Sequence, residues 1–202
     1  MKFGHVTYLS CNHCNKALSH HPMISVDGRH ADLWSDGYFD SPMVPEPILV
    51  ASCGHCQSTV WIPELIACDN PIDAKEYSAL TEPQMLAWLI ENGATPSEHQ
   101  LYIRQKLWQR SNHAYRLNEK CIQWSDVEAS NLTRLLEQLD MAATSEALMA
   151  VEIYRQLGNF TRAQQQLELI SSALPLDLIT QVIERIEAKD RRVFRLEMTT
   201  SY

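Results

Sequence analysis

The sequence predicts an α+β protein in which a small N-terminal β module, residues 1–68, packs on a C-terminal α-helical domain, residues 69–202. Three observations carry that prediction. Six of the eight histidines and five of the six cysteines fall in the first 68 residues, so the metal- and thiol-bearing side chains are gathered at one end. Apolar residues there come in short runs broken by Pro and Gly, whereas after Asn70-Pro71 they recur at helical spacing behind readable caps. A chain of 202 residues, 45% of them apolar, is also long enough for one compact domain or two small ones and too apolar for a disordered tail.

In chain order, residues 6–10 lead as a strand into Cys11-Asn12-His13-Cys14. Residues 31–34 and 38–39 flank Asp36-Gly37, the signal of a hairpin with a type I′ turn, in which both central positions need φ > 0. Pro42, Pro45 and Pro47 then impose an extended loop. It ends at the apolar run 48–51, which enters Cys53-Gly54-His55-Cys56, and residues 60–62 form the returning strand.

The helices begin with Thr81-Glu82-Pro83-Gln84, a capping box with an early Pro, and the first stops at Asn92-Gly93. Thr95-Pro96-Ser97-Glu98 repeats the device and opens a helix to about Arg110. Ser125-Asp126-Val127-Glu128 does so a third time, with Leu132, Leu135, Leu136 and Leu139 forming one apolar stripe. Two helices, 145–157 and 160–173, meet at Gly158, and a last one, 176–189, carries Leu176, Ile179, Ile183 and Ile186 on one face. Residues 192–198 read as a short strand returning to the N-terminal sheet, and Trp34, Tyr38 and Trp61 as the side chains that face the helices. Trp88 and Trp108 are expected in the core, and Trp124 in a hydrophobic staple.

Charge narrows the function classes. Residues 1–68 carry three basic and six acidic side chains and the remainder fourteen and nineteen, so the two parts sum to −3 and −5, or −8 for the chain. Duplex binding needs many cations on phosphates, and neither part offers that excess. The clusters Arg104, Lys106, Arg110, Arg116, Lys120 and Arg185, Lys189, Arg191, Arg192, Arg195 read as solvated helix faces. No run approaches the roughly 18 apolar residues of a membrane helix, and no secretory leader is evident, so a cytoplasmic, non-membrane protein is expected.

The chemistry lies in the two Cys-x-x-Cys pairs. Four thiolates at tetrahedral corners, about 2.3 Å from the ion, are the preferred surroundings of structural Zn²⁺. A two-residue spacer curls the backbone around a metal and leaves amide N–H groups free to bond the sulfurs. Asn15, directly after the first pair, tolerates the left-handed conformation this requires, and Gln57 does so less readily. The 38 residues between Cys14 and Cys53 exceed the roughly 15 to 20 of the simplest spacing. The Asp36-Gly37 hairpin accounts for the excess as an insertion. Disulfides are disfavoured because nothing directs the chain to an oxidising compartment.

With these pairs, residues 5–62 resemble a zinc ribbon, the small β-fold in which two Cys-x-x-Cys knuckles clamp one metal. The resemblance implies one structural Zn²⁺ per chain with Cys11, Cys14, Cys53 and Cys56 as ligands, although the Cys-Pro-x-Cys-Gly form is absent from both knuckles. Over residues 144–175, Ala147, Ala150, Val151, Tyr154, Gly158, Phe160, Ala163, Leu167, Ile170 and Pro175 resemble the core positions of one tetratricopeptide repeat. Shifting by about 34 residues upstream does not recover the pattern. The whole layout is similar to uncharacterised bacterial proteins with a four-cysteine ribbon followed by tetratricopeptide-like helices, a resemblance that implies architecture and no activity.

Weaker patterns stand beside these. His30-Ala31-Asp32 upstream of Cys53-x-x-Cys56 resembles the zinc-deaminase pattern, but the acid is one methylene short, the Pro is missing, and Cys11 and Cys14 would close the site. A thioredoxin-like pair would sit at a helix N-terminus, and both pairs follow strands instead. His13 and His55 read as exposed spacers, His20-His21 as polar loop, and Cys68 and Cys121 as buried thiols.

The function expected from all this is a non-enzymatic zinc-binding module that docks an unidentified protein or peptide through its helices, with no catalytic residues. The alternative is nucleic-acid or ribosome association through the ribbon, opposed by its −3 charge. The third is an enzyme of unknown class or a thiol redox protein.

Overall fold

A computed structural model describes residues 2–25, 31–41, 44, 46–69, 73–93, 97–116 and 122–197. The chain is mixed, with small sheets in its N-terminal part and six helices among the described residues of its C-terminal part. It divides into two compact units, one of Met1–Ala31 with Ser41–Glu91, the other of Asp32–Asp40 with Asn92–Tyr202. No helix among the described residues is long and apolar enough to cross a membrane.

The first unit is built from two hairpins of the same design. Strands β2 (Thr7–Ser10) and β3 (Ala17–His20) pair antiparallel with Ser10 opposite Ala17; β7 (Val50–Ser52) and β8 (Thr59–Trp61) pair with Ser52 opposite Thr59. Each hairpin gains edge strands: β9 (Ile66–Ala67) on β2, β10 (Lys75–Glu76) parallel to β3, and β11 (Ser78–Ala79) on β7. A further pair, β1 (Lys2–Phe3) with β4 (Met23–Ser25), flanks them in sequence. The buried core is small, Leu18, Ala51, Val60, Ile62 and Leu65, and it includes Cys11 and Cys53. Helix α1 (Glu82–Asn92) follows, its Gln84 side chain accepting from the Thr81 N–H at 2.9 Å as the capping box requires. Trp61 packs edge-on against Trp88 of α1, centroids 6.1 Å apart, so the expected helix contact of Trp61 is present. Trp88 is half-buried rather than core.

The second unit holds the hairpin β5 (Asp32–Leu33) and β6 (Phe39–Asp40) with α2 (Glu98–Arg116), α3 (Asp126–Leu136), α4 (Thr144–Gln156), α5 (Phe160–Ile170) and α6 (Leu176–Glu187). Ser125 and Glu128 make the reciprocal capping box of α3. Helices α4 and α5 pack through Ala147, Val151, Ala163, Leu167 and Ile170 around a Gly158 at φ 81°. A second cluster joins Trp108 to Leu132, Leu135, Ala150 and Ile153.

Several expectations are corrected. The Asp36-Gly37 turn is not type I′: only Gly37 has positive φ (74°), and the Trp34 N–H reaches the Tyr38 carbonyl around a three-residue loop, Ser35-Asp36-Gly37. The closing segment returns to the hairpin at residues 32–40 and not to the sheets that carry the cysteines. Arg195 bridges Trp34, and Leu196 N–H donates to Leu33 O, so it extends the β5–β6 hairpin. Helix α2 runs on to Arg116, and its cap is Ser97, whose Oγ accepts the Gln100 N–H; Thr95 and Pro96 lie outside the described residues. So do Pro42, Pro45, His30, Lys120, Cys121 and Met198.

Arg116 is not solvated. Its side chain is 2% exposed, paired with the buried Asp36 carboxylate and stacked 4.1 Å over the Tyr38 ring, while Asn112 and Gln109 also donate to Asp36. Burial drives the Asp36 carboxyl up, and Arg116, Asn112 and the Tyr38 N–H pull it only partly back, while Gln109 bonds the Asp36 backbone carbonyl. Trp34 and Tyr38 thus do face a helix. His20 is no loop residue either: it lies in β3 with Nδ1 2.8 Å from the Tyr77 hydroxyl. Cys68 is partly exposed.

Helix α6 ends in the pattern Lys189 N–H to Ile186 O and Asp190 N–H to Arg185 O, with Lys189 at φ 51° where glycine is usual. An L side chain there costs roughly 1–2 kcal/mol, part of which glycine returns through its freer unfolded chain. Lys189→Gly is therefore expected to stabilise this unit by about 0.5–1 kcal/mol, read as a higher urea midpoint at unchanged slope.

Candidate metal centre

The sulfurs of Cys11, Cys14, Cys53 and Cys56 all lie within 4.8 Å of one another, the only such cluster of possible metal ligands among the described residues. Two of the cross-pairs, Cys11 with Cys56 and Cys14 with Cys53, are 3.9 Å apart. Four sulfurs about 2.3 Å from one ion at tetrahedral corners would be about 3.8 Å apart, so the donor set fits a single tetrahedral metal.

Local sequence explains why the sulfurs converge. Each pair fills the bend between two strands, and the two bends share one hydrogen-bond plan. In the first, Cys11 N–H donates to Lys16 O, Asn15 N–H to Cys11 O, and His13 N–H to Cys11 Sγ at 3.4 Å. In the second, Cys53 N–H donates to Ser58 O, Gln57 N–H to Cys53 O, and His55 N–H to Cys53 Sγ at 3.4 Å. Asn15 at φ 57° and Gln57 at φ 63° take the left-handed conformation that closes each bend. Ser52 Oγ donates to both Gln57 O and Gln57 Oε1 at 3.2 Å, which holds the less suited Gln in place.

The histidines are clasps. His13 Nε2–H donates to Thr59 O at 3.2 Å, and His55 Nε2–H to Ala17 O at 3.0 Å, so each bend's third residue reaches the strand that leaves the other bend. His13 is exposed, as read, while His55 is partly buried, and neither belongs to the sulfur cluster; the clasp is what the reading as spacers lacked. The signal was present, a His at the same place in both pairs, but its partner lies across the fold and not in the local sequence.

Burial divides the four thiols. Cys11 and Cys53 are fully buried, Cys14 is intermediate and Cys56 exposed. Burial pushes the Cys11 thiol up to about 12. The Ser58 hydroxyl and N–H pull the Cys56 thiol down to about 6. A buried thiol such as Cys11 would hold its proton until a cation took the proton's place on sulfur and released it to solvent. Asp32, the acid of the deaminase-like pattern, is absent from the cluster and pairs with Arg195 at 2.9 Å. Both pairs sit in turns after strands, with no helix N-terminus to activate a redox thiol.

Gly54 is the second bend's own requirement. A Cβ on it would overlap the Glu76 carbonyl oxygen of β10, which backbone cannot yield without shifting the strand. The first bend has Asn12 at the same place, so the need is not shared. Gly54→Ala is expected to cost about 1–3 kcal/mol as overpacking and to loosen β10, seen as faster amide exchange at Lys75 and Glu76. Unchanged exchange and stability would show that the strand tolerates the methyl.

No family model, curated protein or solved structure matches the chain.

Proposed function

We propose that the protein is a non-enzymatic binding module whose first unit is a zinc ribbon, holding one structural Zn²⁺ through Cys11, Cys14, Cys53 and Cys56. Its second unit docks a protein or peptide, with α4 and α5 as a tetratricopeptide-like hairpin. The observation that carries the metal assignment is the closed four-sulfur cluster. Four thiolates complete a tetrahedron and leave no position for water or substrate, which is the structural rather than the catalytic pattern. A core of few apolar residues that includes two of the ligands supports the same reading, because so small a unit needs a cross-link beyond hydrophobic burial. When bound, Zn²⁺ supplies that cross-link. The residues around it do the rest: the His13 and His55 N–H groups bond the sulfurs, and their rings tie each bend to the opposite strand. A cytoplasmic location accompanies the reading, since free thiols persist as ligands in a reducing compartment.

Elemental analysis of protein purified without added metal should give about one Zn²⁺ per chain. Cobalt in its place should show the intense visible absorption of a tetrahedral thiolate complex. Metal-free protein whose thiols oxidise reversibly would instead put redox chemistry first. The docking half falls if the full chain retains nothing from lysate beyond what a variant with a reversed helical surface retains.

A further inference from the structure

The second unit contains a groove of about 1110 Å³, partly open to solvent. Its walls are the hairpin loop at Leu33 and Trp34, α4 at Leu148 and Met149, and the start of α6 at Leu176, which is 77% exposed. The volume exceeds the roughly 300–1,000 Å³ of small-molecule sites.

Charge is segregated around it. The unit holds thirteen Lys and Arg, yet no described Lys or Arg lines the groove, whereas Asp177, Glu184 and Glu197 do. The arginines of the C-terminal stretch are bound elsewhere. Arg185 and Arg192 pair with Asp190 at 3.0 and 2.8 Å, and Arg195 pairs with Asp32. Arg191 Nε donates to Gln156 O at 2.8 Å. Burial raises the Asp190 carboxyl, but the Arg192 hydrogen bonds outweigh it and hold the group ionised well below the usual carboxylate range. Glu184 and Glu197 are exposed and have no ion pair among the described residues. The Glu197 backbone is fixed on the rim by a two-way hydrogen bond with the Gln181 side chain, at 2.8 and 2.9 Å.

We propose that this groove binds a basic peptide segment of a partner protein, its apolar side chains on the Trp34–Leu148–Met149 floor and its Lys or Arg on Glu184 and Glu197. The proposal rests on the reading of the second unit as a docking module and specifies the partner's chemistry. An apolar floor supplies affinity, and a rim of one sign selects the partner and speeds encounter.

The test is selection of a random twelve-residue peptide library on the full chain, followed by fluorescence anisotropy of the enriched peptide. Enrichment of Lys/Arg-flanked apolar sequences is expected, with affinity that falls as salt rises. Glu184→Lys/Glu197→Lys should weaken the peptide at least tenfold, and Glu91→Lys/Glu137→Lys, an equal charge change outside the groove, should leave it within twofold. Enriched acidic or uncharged sequences, or equal losses in both double variants, would overturn the basic-segment proposal and leave the docking reading intact. A chain that dimerises in sedimentation, and is dissociated by Glu184→Lys/Glu197→Lys, would overturn it in favour of a second copy. No enrichment of any sequence would overturn both.

Discussion

Cys53→Ser is expected to abolish metal uptake and unfold the first unit. Cys53 is fully buried, its sulfur lies 3.9 Å from that of Cys14, and it sits in the same cluster as Leu18, Ala51 and Val60. A hydroxyl there is a poor ligand and leaves a polar group in the core. In small zinc folds the apparent metal contribution is about 10–16 kcal/mol at neutral pH, as much as the whole stability of a typical domain, roughly 5–15 kcal/mol. The loss should appear as zinc below stoichiometry together with free amide exchange along β2, β3, β7 and β8. Cys68→Ser is the comparison: Cys68 is partly exposed and outside the four-sulfur cluster, so metal content and exchange should stay as in the parent chain. Stoichiometric zinc and full strand protection in Cys53→Ser would end the structural-zinc reading.

The contrast between Cys53 and Gly54 shows what a sequence can disclose. The four cysteines were legible because their message is local: residue type and a two-residue spacing state the chemistry without reference to the rest of the chain. Helix starts were legible for the same reason. Ser125 and Glu128 cap α3 as read, and Gln84 reaches back to Thr81, since a cap joins residues three apart. Gly54 was silent because the obstacle to a side chain is the Glu76 carbonyl, twenty-two residues on. The clasping role of His13 and His55 was silent because the carbonyls they hold belong to the opposite hairpin.

The second unit repeats the point at longer range. Asp36 was seen as half of a turn signal, and the turn is there in altered form. Its carboxylate is the larger fact, a buried acceptor for Arg116 and Asn112 from α2, about eighty residues later. Arg116 was assigned to a solvated face because spacing of like charges says nothing about one acid delivered by a distant hairpin. Likewise the strand expected at 192–198 is, among the described residues, a single bridge at Arg195, and its partner was not readable: pairing is chosen by tertiary contacts, here Ser35 Oγ with the Phe194 N–H and Leu33 O with the Leu196 N–H.

Those contacts depend on one buried ion pair, so Arg155→Ala is expected to destabilise the second unit by about 3–5 kcal/mol, the cost of leaving one partner of such a pair uncompensated. Arg155 and Glu152 on α4 are 0% and 4% exposed at their side chains. Arg155 donates to both carboxylate oxygens, to the carbonyls of Asp190 and Arg192, and its guanidinium lies 5.1 Å from the centre of the Phe194 ring. Ser35 Oγ and Gln156 Nε2 complete Glu152, each at 2.7 Å. The pair thus ties α4 to the hairpin loop on one side and to the closing segment on the other. Alanine would leave the Glu152 carboxylate buried without its counter-charge and two part-buried carbonyls without their donor. Arg155→Lys keeps the charge but loses the fork, so an intermediate loss is expected. Glu152→Met/Arg155→Met removes both charges and should recover much of the alanine deficit, which separates the penalty of an unpaired charge from simple loss of volume. Urea midpoints give the energies, and amide exchange at Ser35 and Leu196 gives the location. A cost below about 1 kcal/mol for Arg155→Ala would mean that water reaches Glu152 and that the pair contributes no more than a surface one. Because Leu33, Trp34 and Leu196 also wall the acidic groove, loss of this tie should weaken the basic peptide even with Glu184 and Glu197 untouched.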